Sequence, residues 1–204
     1  MKKTVGLWVS NSIAAFLACT LNAQEVFKDN NATPLNDPAS WVGGAVPGDT
    51  NNAVWDATVL GANTVDIGGA LTWDGLRIAN PGGAVTVNGT ARLTLDGGAA
   101  TDIDMSAATQ DLTLNVPVSL GGSSVAAVNA GRVLNLNGGL SSGSLTKNGD
   151  GRLVVGGAAN LGNSVYAAGD TVWAAGVTSS GDNRLSGGNL TLKGTALLMA
   201  GSTE

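Results

Sequence analysis

Asp102 and Asp104 are the residues whose spacing comes closest to chemistry. They flank Ile103, and alternation along a strand would put both carboxylates on one outward face, roughly 7 Å apart. A glycosidase needs two carboxyl groups at about 5–9.5 Å. A calcium ion needs clustered oxygens, and Asp111 could join from the next strand. The plainer reading is a solvated face with two mutually repelling charges. It is preferred, because no cluster of Asp, Lys and Arg marks one identifiable face of the chain. Two further loops are rich in oxygen, Asp29-Asn30-Asn31 and Asp49-Thr50-Asn51-Asn52. Neither has the alternating acid spacing of a calcium loop, so ordinary Asx turns are expected.

Other candidates also have plain readings. Trp41, Trp55 and Trp73 are three of the five Trp. Exposed in a row they could stack on sugar rings, but closing one end of a core is the expected role. Gly121-Gly122-Ser123-Ser124 lacks the Lys and the following helix of a phosphate loop. Asn115, Asn135 and Asn137 are expected to stack as amide ladders. His is absent and Cys19 is the single cysteine. That excludes a Ser-His-Asp triad, His-ligated metal and an intrachain disulfide framework. No catalytic, cofactor-binding or metal-binding residue is assigned, and no cofactor is expected.

The elements that must position these residues are short strands. Apolar residues recur as pairs at period 2: Val65/Ile67, Leu76/Ile78, Val85/Val87, Leu93/Leu95, Ile103/Met105, Leu112/Leu114, Leu134/Leu136, Leu153/Val155 and Leu190/Leu192. Such alternation turns both members inward. Gly and Asn accept the sharp corners between them, although Asn-Gly steps serve hairpins equally well. Strands this short gain stability by stacking on neighbouring coils, which points to a parallel β-solenoid with coils of roughly 25 residues. A β-sandwich or a propeller is the alternative on pattern alone.

MKKTVGLWVSNSIAAFLACTLNA reads as a secretory signal peptide over residues 1–23, with Lys2 and Lys3 ahead of a short apolar run and Ala23 at the cut. Cys19 in FLAC offers a weaker lipidation alternative. Mature protein is expected to begin near Gln24, and intact-mass measurement on exported protein checks this; Met1 or Lys2 on it would overturn the reading. Without Lys2 and Lys3 the chain keeps 8 bases against 15 acids, a net charge of −7. That charge argues against nucleic acid or an anionic membrane surface as partner.

Residues 145–173 read LTKNGDGRLVVGGAANLGNSVYAAGDTVW. Leu145, Thr146, Lys147, Gly149, Gly151, Leu153, Val155, Gly157, Asn160 and Gly169 follow in order a pattern similar to the autotransporter-associated β-strand repeat. Departures are Leu161 where an aromatic is common, Asn163 in a Gly-rich position, and Trp173 for a final Leu. Trp41-Val42-Gly43-Gly44, Pro47-Gly48-Asp49 and Ala53-Val54-Trp55 resemble the opening of secreted proteins that carry these repeats. The resemblance implies a right-handed parallel β-helix passenger at the cell surface or beyond. Within it Leu153 and Val155 are expected inward, Arg152 and Val154 outward, and Lys147 on the solvent face.

The fold expected is therefore all-β, a right-handed parallel β-helix incomplete at its C-terminal end. A signal peptide (1–23) and an N-terminal cap segment (24–50) precede a solenoid passenger (51–204). The ending is mid-pattern and too short for a membrane barrel, so the chain reads as the N-terminal part of a longer protein. Membrane contact is expected only through an anchor outside it. The open edge around Leu190, Leu192, Leu197, Leu198 and Met199 is expected to self-associate. The function expected is a non-enzymatic secreted or surface stalk for adhesion or display, contacting an extracellular glycan or host surface ligand. A carbohydrate-binding or carbohydrate-active β-helix, including a polysaccharide hydrolase or lyase, is the alternative.

Overall fold

The structure is a computed structural model, and it describes residues 23–96, 98, 101–174, 177–179, 183–193 and 196–198. The signal-peptide reading over residues 1–22, with Cys19, lies outside the described residues, as do Met199 and Glu204. In chain order the strands begin with β1 (Gln24–Phe27), β2 (Asn51–Trp55), β3 (Asn63–Asp66), β4 (Leu71–Trp73), β5 (Gly75–Ile78) and β6 (Val85–Asn88). They continue with β7 (Leu93–Leu95), β8 (Ile103–Met105), β9 (Leu112–Leu114), β10 (Val118–Val128), β11 (Val133–Leu136), β12 (Leu140–Asn148) and β13 (Arg152–Val155). The last are β14 (Ala159–Tyr166), β15 (Asp170–Trp173), β16 (Val177–Ser179), β17 (Asn183–Leu185), β18 (Asn189–Leu192) and β19 (Ala196–Leu198). The one helical element among the described residues is a 3-10 turn, Pro38–Ser40.

Every strand pairing is parallel, and the strands form one 12-stranded and one 7-stranded sheet. The molecule is a β-solenoid of about 6 turns. Parallel neighbours cannot be joined by a two-residue hairpin, so the Asn-Gly steps are corners. The lone antiparallel contact among the described residues is an isolated bridge between Lys28 and Trp41. β1 already pairs with β2, so the 24–50 segment supplies the first strand before it folds over the tryptophans.

Coil length is not constant. Leu71 stands beside Leu93, Leu93 beside Val118 and Val118 beside Leu140, offsets of 22, 25 and 22 residues. Leu140 then stands beside Ala159, Ala159 beside Val177 and Val177 beside Ala196, offsets of 19, 18 and 19. The uniform coil of roughly 25 residues expected from sequence holds only for the widest turn. The corners account for the contraction. Six residues separate β5 from β6, but only Gly149-Asp150-Gly151 separates β12 from β13. Gly149 has φ +76°, and a Cβ there would lie 2.3 Å from the Val128 carbonyl oxygen. A side chain cannot occupy so tight a corner.

The inward pairs line up as a continuous core. Of the nine pairs named above, all are buried except the last; Leu190 is half-buried and Leu192 is 43% exposed. The outward residues form polar lanes along the axis. Thr72, Thr94, Ser119, Ser141 and Asn160 stand in register on the larger sheet. Thr64, Thr86, Thr113 and Asn135 do so on the smaller one.

The amide ladder differs from expectation in one member. Asn115 Nδ2 donates to Asn88 Oδ1 at 2.7 Å, and Asn137 Nδ2 donates to Asn115 Oδ1 at 2.9 Å. Asn135 lies in the adjacent lane and donates to Thr113 Oγ1 at 3.3 Å. Asn88, Asn115 and Asn137 each follow an inward Val or Leu at the strand end, which places them in one column.

Candidate functional site

The three sequence candidates do not form one site. Asp102 precedes β8 and is 3% exposed, turned into the coil instead of lying on the open outward face expected for it. Its Oδ2 accepts the Val125 N–H of the next coil at 2.7 Å. Burial raises its pKa, with the nearby charges of Asp74 and Asp96 adding to the rise and the Val125 N–H opposing it. Asp104 accepts from the Ser106 N–H at 2.9 Å and from Ser106 Oγ at 2.6 Å, a local turn. Asp111 precedes β9 in the other sheet, where its Oδ1 accepts the Val133 N–H at 3.0 Å and lies 3.5 Å from Arg132. Each carboxylate is held by backbone or turn donors of its own. Among the described residues no three Asp, Glu, His or Cys side chains are placed to hold a metal ion.

The tryptophans pack. Trp41, Trp55 and Trp73 are 2%, 0% and 0% exposed, so none can stack on a sugar. Trp41 meets Trp55 and Trp73 edge-on at centroid distances of 5.7 and 5.6 Å, the arrangement ring quadrupoles favour. Trp41 Nε1 donates to the Leu35 carbonyl at 2.8 Å and Trp55 Nε1 to Asn63 Oδ1 at 2.9 Å. The two oxygen-rich loops form turns. Asp29 Oδ1 accepts the Asn30 N–H at 2.7 Å, and Asn51 Oδ1 accepts the Gly48 N–H at 3.0 Å. Gly121-Gly122 is a register shift inside β10.

Lys147 corrects the sequence reading outright. It is completely buried, where a solvent-facing side chain was expected. Its Nζ donates to the carbonyls of Asn148, Gly149 and Ala168 at 2.9, 2.7 and 3.2 Å. The corner turns its carbonyls inward, and the lysine closes it from within. The alternation already carried this signal: Leu145, inward and 2% exposed, has the same parity as Lys147. Burial lowers the Lys147 pKa, opposed by Asp150 and Asp170.

Lys28 repeats the device at the other end of the described solenoid. It too is completely buried, and its Nζ donates at 2.9 Å to the Asp29 and Asn31 carbonyls and to Asn31 Oδ1. Burial lowers its pKa to about 8, against the raising effect of Asp29. The unfolded chain therefore holds this proton up to about 10.5 while the folded chain releases it near 8. Stability should rise from pH 8 towards pH 10, by at most about 3 kcal/mol from this group. Tyr166, raised by burial, acts in the opposite sense above pH 10. Urea midpoints between pH 7 and 10 check the rise, and Lys28→Met should flatten it; a parent protein with no rise would contradict the burial argument.

A groove of about 1030 Å³ lies along the larger sheet, over β1, β2, β5 and β8. Glu25, Asp49, Asp74 and Asp104 line it against the single cation Arg77, which pairs with Glu25. Sequence reading missed it because its members come from four coils and meet only through register. The Asn52–Gly75 pairing brings one side chain against a missing one.

Fold and surface together define a parallel β-solenoid with polar outer lanes and lysine-closed corners. No family model, curated protein or solved structure matches the chain. No helix among the described residues is long and apolar enough to cross a membrane.

Proposed function

We propose that this chain is a non-enzymatic secreted or cell-surface passenger, a repeat stalk that serves adhesion or display. The observation that carries the reading is the outer surface. Thr72, Thr94, Ser119, Ser141 and Asn160 repeat one short polar side chain per coil, at the roughly 4.8 Å spacing of paired strands. The acids that could have done chemistry are instead spent on backbone donors. The segment 145–173 supports kinship with the autotransporter-associated repeat, since its Lys, Gly and Leu positions each have a structural task in a corner or a core. An extracellular glycan or host surface ligand is the partner class that fits hydroxyl and amide lanes without a basic patch.

Beads coated with the purified chain, offered to a panel of immobilised glycans and cell surfaces, test the proposal. Retention that falls when Thr94, Ser119 and Ser141 are all replaced by Lys is the expected result. Turnover of a polysaccharide by the parent, measured as reducing ends or new unsaturation and lost in Asp102→Asn, would refute a non-enzymatic role.

A further inference from the structure

We propose that the groove over β2 and β5 binds a calcium ion in front of Gly75. The Cβ that Gly75 lacks would stand 2.6 Å from Asn52 Oδ1, 3.3 Å from the Asp102 carbonyl oxygen and 3.4 Å from the Thr101 carbonyl oxygen. Three oxygens thus converge on a space kept open by the absence of a side chain. Asn52 Oδ1 is buried and has no hydrogen-bond donor. Asp74, next to Gly75, is 6% exposed and lines the groove, and no hydrogen bond or ion pair reaches its carboxylate from the described residues. A buried carboxylate and a buried amide oxygen without donors are costly unless a cation satisfies them.

The donor set selects the ion. It is all oxygen, with one carboxylate and neutral amide and carbonyl groups, and has no nitrogen or sulfur for a transition metal. Calcium accepts six to eight such ligands in irregular geometry, whereas magnesium demands a near-ideal octahedron. Water from the open groove completes the shell. Glu25, Asp49 and Asp104 add negative potential along the approach. One carboxylate in the shell places the affinity in the weak class, a Kd on the order of 10⁻⁴–10⁻³ M, suited to an extracellular setting. The ligands come from β2, from the start of β5 and from the residues before β8, so the ion would pin three successive coils together.

Terbium is the probe, since Trp73 adjoins Asp74 in the chain and can sensitise its emission. The full chain in 150 mM NaCl should show saturable, tryptophan-excited terbium emission, displaced by millimolar calcium but not by equal magnesium. Calcium at 10 mM should raise Tm by about 4 °C. Asp74→Asn should lose both effects and, freed of an unpaired charge, melt no lower than the calcium-free parent. Asn52→Ala provides a second test and should weaken binding at least tenfold. Asp49→Asn and Asp104→Asn line the groove outside the oxygen cradle and should keep binding within about twofold. Absence of saturable emission and of a calcium shift in the parent overturns the proposal. So does retention of both in Asp74→Asn, or an equal loss in Asp49→Asn, which would mark diffuse acidity in place of a site.

Discussion

Leu93→Asp should unfold the coils on both sides of it, a loss of 5 kcal/mol or more on the scale of ~5–15 kcal/mol for a whole domain. Leu93 is fully buried and stands in one column between Leu71 and Val118. Simple truncation of such a leucine costs about 2–5 kcal/mol. Asp adds an uncompensated charge, since its register neighbours in the column are apolar. In a solenoid each coil is stabilised chiefly by its neighbours, so the damage spreads along the axis. Thr94, one residue on, faces the outer lane and is half-exposed; Thr94→Ala should change stability by no more than about 0.5 kcal/mol. Urea unfolding followed by circular dichroism compares the two. Equal sensitivity at both positions would mean that the inward and outward assignment is wrong.

Lys147→Met should cost about 3 kcal/mol. Methionine matches the length of the lysine stem and packs equally well between Ala126 and Tyr166, the register neighbours on either side. It donates nothing, and so leaves the Asn148, Gly149 and Ala168 carbonyls without the ammonium they share. Hydrogen bonds from a charged donor are the stronger kind. Lys193, exposed on the last described turns, supplies the control: Lys193→Met should be close to neutral. The folded-state pKa of Lys147 is lowered, so its contribution becomes more favourable as pH rises towards its ordinary value of 10.5. The penalty of the variant relative to the parent should therefore grow in mild alkali. A Lys147→Met protein as stable as its parent would show that the corner does not need the lysine.

The fold was legible because the strand pattern is local. Leu93/Leu95 and Ile103/Met105 each declare a face by parity alone, and parallel stacking follows from strands too short to stand by themselves. Lys147 was legible in principle, but residue type was given more weight than parity, and a charged side chain was placed outside. Burial wins there because the corner offers three carbonyls to one ammonium. Asp102 failed for a related reason: it sits just before its strand, where alternation no longer governs direction. The groove was illegible. Asn52 and Gly75 are neighbours only through a register set by the whole preceding coil, and that register depends on corner lengths that vary from coil to coil.

The contraction of the coils from 25 to 18 residues has a mechanical meaning. The bonds that join coils run along the axis, so tension applied along it loads one rung at a time, as in opening a zip. Each released coil adds a contour length set by its residue count, at about 3.3–3.6 Å per residue. The widest turn would release roughly 85 Å and the narrowest roughly 60 Å. A rod of this design is a graded extensible tether, whose successive yield steps shorten towards its C-terminal turns and dissipate work coil by coil while the remaining coils stay folded.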